Sequence, residues 1–194
     1  MIYLFIGFLA FLLFLLYDIN SIIFRNKLLK SCFFLGIVLL AAATAGIVIS
    51  CVNEMRIDLL RTTLFGFPAI IFFIFLIYTL FFAIPFQSTY IETDHAGKVC
   101  RTGVYALCRH PGVLWFAGFY ITLGFALNIP LLKAAAAVFS LLNVIYIIIQ
   151  DRWTFVKSFE DYEQYRTETP FLIPNYNSIK RCIKTLKGEE DTKI

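Results

Sequence analysis

Charged residues are scarce in this sequence of 194 residues, where they make up 15% of the chain. A typical soluble domain contains about a quarter. Hydrophobic residues make up 60%, and 22 Phe and 10 Tyr are among them. This composition excludes a soluble globular enzyme, a disordered protein and a nucleic-acid-binding module. It predicts an all-α integral membrane protein of one compact domain.

The sequence also lacks the motifs of several common active sites. Its five cysteines are an odd number without CxxC spacing, so neither a disulfide framework nor a zinc site is indicated. Two histidines, His95 and His110, are too few for a histidine-rich metal centre, and we interpret His95 as a surface-loop residue. GxGxxG, HExxH, GxSxG and phosphate-loop motifs are absent. We therefore expect no metal site.

Apolar runs long enough to cross a bilayer as helices cover most of the chain. Three of them are residues 2–24, 28–52 and 59–86, and the first lacks the features of a cleaved signal peptide. A further run, 113–149, is too long for one span. Asn128-Ile129-Pro130 divides it, because proline cannot continue a helix. The sequence thus predicts five transmembrane helices, with a tight turn between the last two.

Basic residues are distributed unevenly between the two sides that five spans define. Fourteen of the 17 fall in loop 1–2, loop 3–4 and the C-terminal tail, and three fall on the other side. The positive-inside rule then places the N-terminus outside and residues 87–111 and 151–194 in the cytoplasm.

The end of the chain carries a pattern of its own. Within residues 176–188, apolar residues follow helical spacing between basic ones, at Ile179, Cys182, Ile183 and Leu186. The pattern predicts an amphipathic helix. It lies either on an anionic membrane leaflet or against the domain as an ordinary solvated helix.

Polar residues that could bind a ligand or take part in a reaction concentrate at two points of the sequence. Arg109-His110-Pro111 opens the fourth span, and the free N–H groups of a helix start favour anionic ligand groups. A simpler explanation is that Arg109 and His110 are interface anchors. Gln150-Asp151 ends the fifth span, where a carboxylate opposes the helix dipole unless Arg152 or a cationic ligand compensates it.

The order of these motifs resembles the isoprenylcysteine carboxyl methyltransferase family, whose wider relatives include phospholipid N-methyltransferases. GVYxxxRHP opens a helical hairpin, an acidic pair closes it, and FxxYxxY and TPFLIP follow. The resemblance is confined to residues 97–174, and elsewhere only the hydrophobic spans agree. The five-span size is similar to that of compact microbial members.

The resemblance implies S-adenosyl-L-methionine as cofactor, bound in a cytoplasmic pocket formed by helices 4 and 5 and the C-terminal tail. It implies Arg109, His110 and Asp151 as catalytic residues. It implies cofactor binding by Gly97, Lys98, Val99, Cys100, Tyr105, His110, Pro111, Gly112, Val113, Gln150 and Asp151. The chain departs from the family at Val113, usually Tyr or Leu, and at Gln150-Asp151, which stands for Glu-Glu. It also has Tyr146 where the eukaryotic enzymes carry a basic residue.

The chain accordingly divides into three parts: N-terminal helices in 1–86, a cofactor-binding loop, hairpin and return segment in 87–174, and a basic amphipathic tail in 175–194. The implied reaction esterifies an isoprenylated cysteine or a similar lipid-linked acid that enters from the bilayer, with S-adenosyl-L-homocysteine as product. The alternative is methylation of a phospholipid amine, which needs a base because the amine must lose a proton. A non-catalytic lipid-binding membrane protein is the third hypothesis.

Overall fold

The computed structural model describes residues 1–55, 58–83 and 97–187, and every regular element in these ranges is helical. The helices are α1 Ile2–Ile19, α2 Cys32–Ser50, α3 Leu59–Phe81, α4 Val104–Leu107, α5 Pro111–Leu127, α6 Pro130–Ile149, α7 Phe155–Ser158, α8 Tyr162–Glu168 and α9 Tyr176–Leu186. Short π-helical turns extend α1 over Asn20–Phe24 and α6 over Gln150–Thr154, and 3-10 turns cover Leu28–Ser31 and Val52–Glu54. The all-α prediction is confirmed.

Four helical segments in the described ranges are long and apolar enough to cross a membrane: Ile2–Phe24, Leu28–Ser50, Leu59–Phe81 and Pro130–Ser158. They agree with four of the five predicted spans and make the chain a multi-pass membrane protein. The remaining apolar helix, α5, has 17 residues, which is at the short end of the lengths that cross a bilayer.

Helices α5 and α6 form the hairpin that the sequence predicts. After Leu127 the chain turns at Asn128, whose φ of 53° is left-handed, and α6 begins at Pro130. Asparagine adopts this conformation more readily than most residues because its short side chain can bond locally. Here its Oδ1 accepts a hydrogen bond from Lys133 Nζ at 2.7 Å.

The apolar helices pack side by side in the order α2, α1, α6, α5, α3. Aromatic rings fill the centre, where Phe11 of α1 meets Phe116 of α5 and Phe139 of α6. Gly7 allows α1 to approach α6 closely, since a Cβ at this position would overlap the Phe139 ring. The hairpin is therefore held from both sides, by α1 and by α3, and its two free ends emerge together.

The predicted amphipathic tail helix is present as α9. It starts with a capping box between Asn175 and Ser178, packs against α4, and buries Ser178 and Cys182. Another face exposes Tyr176, Ile179, Ile183 and Leu186. One face of α9 thus rests on the protein while an apolar strip remains free beside lysines.

Labelling of single cysteines tests whether α5 crosses the membrane. Five spans place residue 98 and residue 133, which flank α5, on opposite sides. We expect Lys98→Cys and Lys133→Cys, each in a cysteine-free background, to react with an impermeant maleimide from opposite faces. The background is needed because the five native cysteines are free thiols. Reaction of both positions from the same face would contradict the five-span topology.

Candidate functional site

The start of α5 is fixed to the segment that follows α8. His110 is the N-cap of α5, and Pro111 is its first residue. The backbone N–H of Arg109 donates to the Pro170 carbonyl at 2.9 Å, and its Nη1 donates to the Arg166 carbonyl at 3.0 Å. These bonds place the return segment, residues 169–174, directly over the end of the hairpin.

Asp151 lies in the π-helical turn at the other end of the hairpin, and only 4% of it is exposed. Its carboxylate lies 2.9 Å from Arg109 Nε and accepts hydrogen bonds from Arg109 Nη2 at 3.2 Å and His110 Nε2 at 3.1 Å. Tyr162 donates its hydroxyl at 2.7 Å, and Arg166 Nε lies 3.6 Å away. We call these five residues the Asp151 cluster. The three residues predicted as catalytic therefore meet at one point.

The sequence analysis requires a positive charge to compensate Asp151 at the end of the fifth span. Arg109 and Arg166 provide it. Arg152, the neighbour considered for this role, is exposed to the surroundings instead. Sequence reasoning missed both Tyr162 and Arg166. A signal was present, because residues four apart on a helix share a face and both lie on α8.

Aromatic rings enclose His110. The Phe155 ring stacks on the imidazole with centroids 5.8 Å apart, and the Phe171 ring meets it edge-on at 5.1 Å. The guanidinium of Arg109 lies 5.4 Å from the Phe171 ring centroid, at a distance suited to a cation–π contact. These rings displace water, so electrostatic interactions within the cluster are stronger than at an exposed site.

Burial determines the protonation state of His110. Loss of hydration lowers the pKa of His110 below its ordinary value, and this effect outweighs the opposing attraction of Asp151, while Arg109 adds to the lowering. The imidazole is therefore neutral at physiological pH, and its Nε2–H donates to Asp151, since a carboxylate can only accept. Burial, followed by the bond to Asp151, raises the pKa of Tyr162, which stays a protonated donor.

The lowered pKa of His110 predicts a loss of stability in mild acid. Below about pH 6.5 the His110 imidazole binds a proton in the unfolded state but not in the folded state. The free energy of unfolding is therefore at its full value above that pH and falls as the pH falls. The expected slope approaches about 1.4 kcal/mol per pH unit. His110→Gln keeps a hydrogen-bond donor but does not titrate. We expect the melting temperature of this variant to fall less between pH 7.5 and 5.5 than that of the wild type. An equal loss would show that His110 is not responsible.

The residues expected to line a nucleoside lie beside α8. Gly97 forms a single β-bridge with Phe159, and the Val99 N–H donates to Asp161 Oδ1 at 2.9 Å. Arg101 Nη2 contacts the other Asp161 oxygen at 2.8 Å. Burial acts to raise the pKa of Asp161, but the bonds from Val99 and Arg101 prevail and lower it. Asp161 is therefore an ionised anchor that positions this segment next to Tyr162.

Within this segment, Gly97 and Lys98 are exposed, whereas Val99 and Cys100 are half-buried. Tyr105, on α4, donates its hydroxyl to the Thr79 carbonyl of α3 at 3.1 Å. Its own carbonyl accepts from the Tyr165 hydroxyl at 2.6 Å. Tyr105 thus connects α3 to α8, and both bonds can be made without any ligand.

The other predicted cofactor residues fall on two sides of the hairpin end. Pro111 and Val113 are buried in the first turn of α5, with Gly112 half-buried between them, next to His110. Gln150, by contrast, donates its amide to the Tyr146 hydroxyl at 2.8 Å. Its side chain therefore serves a different group of residues from that of Asp151.

A second buried carboxylate, Asp18 of α1, belongs to that other group. Asp18 is 4% exposed, and the side chains of Tyr146 and Gln150 lie beside it. Its Oδ2 has no hydrogen-bond partner among the residues that the structure describes. In the sequence, Asp18 appears only as an interruption of the first apolar run.

Within the described ranges no group of three or more His, Cys, Asp or Glu side chains could hold a metal ion. His95 lies in the stretch 84–96, outside those ranges. The chemistry of the site therefore has to be argued from the Asp151 cluster and its surroundings.

Comparison of this chain with protein-family models, with curated proteins and with solved structures finds no match. The geometry of the site, together with the order of the sequence motifs, is accordingly what any functional assignment must rest on.

Proposed function

We propose that this chain is an S-adenosyl-L-methionine-dependent methyltransferase of the membrane, of the isoprenylcysteine carboxyl methyltransferase type. The observation that carries the proposal is the Asp151 cluster. Arg109 and His110 at the start of a membrane hairpin reach Asp151 at its end, across 42 and 41 positions of sequence. The tail segment with the TPFLIP motif covers the same point, so all the motifs behind the resemblance converge there.

The residues around the cluster fit the chemical groups of this cofactor. The rings of Phe155 and Phe171 suit a sulfonium cation or an adenine face. Arg109 and the N–H groups of the first turn of α5 suit a carboxylate. Asp161, with the backbone of residues 97–100, offers an edge for a polar nucleoside. When bound, the cofactor supplies an electrophilic methyl group, and these residues orient it and exclude water.

In the membrane, the proposed arrangement has five spans, with the N-terminus outside and the active site and C-terminus in the cytoplasm. Support comes from the placement of 14 of the 17 basic residues on one side and from the packing of α5 between α3 and α6. The exposed apolar strip of α9, next to Lys180 and Lys184, suits an anionic leaflet. The acceptor lipid enters sideways from the bilayer.

The acceptor implied by the resemblance is a lipid-linked carboxylate. Methyl transfer to it forms one O–C bond while the C–S bond breaks with its electron pair left on sulfur. A carboxylate is already ionised at neutral pH and needs no base. That requirement fits a cluster in which Asp151 is held by two arginines and in which the lowered pKa of His110 makes the imidazole a weak base.

A specific observation favours the second candidate, a phospholipid amine. Asp18 and Tyr146 lie at the end of the hairpin where a basic residue would be expected to receive a carboxylate. An amine acceptor forms an N–C bond while the C–S bond breaks with its electron pair left on sulfur, and its proton passes to a base, for which His110, Asp151 or a water between them is available. A carboxyl group at this point offers oxygen acceptors to the N–H groups of an amine and provides no positive charge for a carboxylate.

Labelled methyl transfer tests the proposal directly. The chain, purified in micelles, is given methyl-labelled S-adenosyl-L-methionine with either a prenylcysteine analogue or phosphatidylethanolamine. Base-labile label in the lipid identifies an ester, and base-stable label on nitrogen identifies an amine. Absence of label in both lipids, with S-adenosyl-L-homocysteine not binding either, would overturn the proposal.

The dependence of rate on pH separates the two acceptors independently. A carboxylate acceptor is ionised above about pH 5, so the rate should be flat from about pH 6 to 8. An amine acceptor supplies tenfold more free base per pH unit, so the rate should rise with a slope near one. We expect one of these two profiles at saturating cofactor. A bell-shaped profile would indicate an acid–base pair that neither mechanism contains.

A further inference from the structure

Helix α9 presents an apolar and a basic surface next to the face that rests on the protein. The apolar strip consists of four exposed side chains, those of Tyr176, Ile179, Ile183 and Leu186. Lysines follow beside the strip at positions 180, 184 and 187, and residues 176–187 contain no carboxylate. Two of these lysines line a shallow groove together with Ile179 and Ile183. An exposed apolar row beside positive charge is typical of helices that lie in a membrane interface.

The contacts of α9 place it near the level at which the helix bundle ends. α9 packs on α4, and the Tyr105 hydroxyl of α4 donates to the Thr79 carbonyl at 3.1 Å. Thr79 belongs to the last turn of α3, which is apolar and long enough to cross a membrane and ends at Phe81. In the five-span arrangement this end faces the cytoplasm, where the leaflet is anionic. The basic surface of α9 is complementary to that leaflet in charge.

α9 also holds the two chain segments that meet at Arg109. The Gly103 N–H, at the start of α4, donates to Thr185 Oγ1 at 3.0 Å, and α4 is followed closely by Arg109. Arg181 Nη1 donates to the Glu168 carbonyl at 3.3 Å, at the point where α8 ends and the return segment begins. Any contact that holds α9 in place from outside therefore restrains both segments at once.

We infer that α9 docks on an anionic lipid leaflet and that this docking stabilises the two segments over the Asp151 cluster. The strip enters the boundary between head groups and acyl chains, while Lys180, Lys184 and Lys187 extend to the lipid phosphates. The inference rests on the proposed function, since it makes membrane charge a regulator of the proposed cofactor site. A neutral leaflet offers the same apolar layer without attracting the lysines, so it holds α9 less firmly.

Hydrogen–deuterium exchange tests the coupling without any cofactor. The full chain is placed in nanodiscs of phosphatidylcholine alone or of an equal mixture of phosphatidylcholine and phosphatidylglycerol. We expect the anionic discs to slow amide exchange in α9, in residues 103–110 and in residues 169–173 by about fivefold or more, the lower end of usual coupling between sites. Calorimetry should show the affinity for S-adenosyl-L-homocysteine increasing by a similar factor.

Paired lysine variants show whether α9 is the surface that responds. Lys180→Gln with Lys187→Gln removes two exposed charges from α9 and should abolish most of the difference between the discs. Lys27→Gln with Lys30→Gln is the matched control, because it removes the same charge from loop 1–2 on the same side of the five-span arrangement. This control should retain the difference. Ile183→Asn, in the apolar strip, should reduce protection in both kinds of disc.

The outcomes separate the inference from the proposed function. Equal exchange in the two kinds of disc would overturn the inference, and so would an equal response of the two lysine pairs, because the total charge of the surface would then be responsible. Slower exchange in α9 alone would also overturn it, since α9 would dock without restraining the site. If all three regions are protected but S-adenosyl-L-homocysteine binds in neither disc, the inference stands and the assignment of the cofactor fails.

Discussion

Asp151→Ala should reduce the free energy of unfolding by about 3–5 kcal/mol, the cost typical of breaking a buried ion pair from one side. The substitution leaves Arg109, whose side chain is 10% exposed, without its counter-charge, and Tyr162 without its acceptor. The Arg166 guanidinium is about a third exposed and contributes less, because water screens it. We expect denaturant unfolding in detergent to show this loss, and calorimetry to show no binding of S-adenosyl-L-homocysteine.

Glu163→Ala is the matched control for this loss of a carboxylate. Glu163 also pairs with Arg166, at 2.9 Å, but its side chain is 67% exposed. A surface pair of this kind contributes about 0–1 kcal/mol. If both variants lost stability equally, the Asp151 cluster would not be the electrostatic anchor of the site, and its place in the proposed function would be lost as well.

The features that the sequence predicted well are those set by local chemistry. Proline at residue 130 breaks a long apolar run wherever the rest of the chain goes, and Pro111 favours a helix start in the same way. Helix breaks, the hairpin and the tail helix were therefore predictable. The end of α3 was not, because the apolar run continues to residue 86 whereas the helix ends at Phe81.

The candidate site was predictable only in part, for a physical reason. The order of motifs brought Arg109, His110 and Asp151 together as a hypothesis, and the structure places them in contact. The contribution of Arg166 depends on how α8 rests on the hairpin, which no short sequence pattern encodes. Asp18 and Tyr146 lie on helices far apart in the sequence, so their contact follows from the packing of α1 against α6.

A chain that ends at Glu168 should lose binding of S-adenosyl-L-homocysteine altogether while its apolar helices remain inserted. The truncation removes the Pro170 carbonyl that accepts from Arg109, the Phe171 ring against His110, and helix α9. The apolar helices α1 to α3, α5 and α6 keep their own contacts, because their core contains no residue of the removed segment. Calorimetry measures the binding, and maleimide labelling at residue 133 reports insertion.

Two truncated chains that retain more of the tail serve as controls for this experiment. A chain ending at Lys187 retains every described contact of the tail and should bind like the full chain. A chain ending at Asn175 keeps the return segment but lacks α9, so it separates the cover over His110 from the helix that packs on α4. We expect this chain to bind with reduced affinity. Tight binding by the chain ending at Glu168 would show that the tail does not cover the cofactor site, because its Arg109 and His110 would then bind without Pro170 and Phe171.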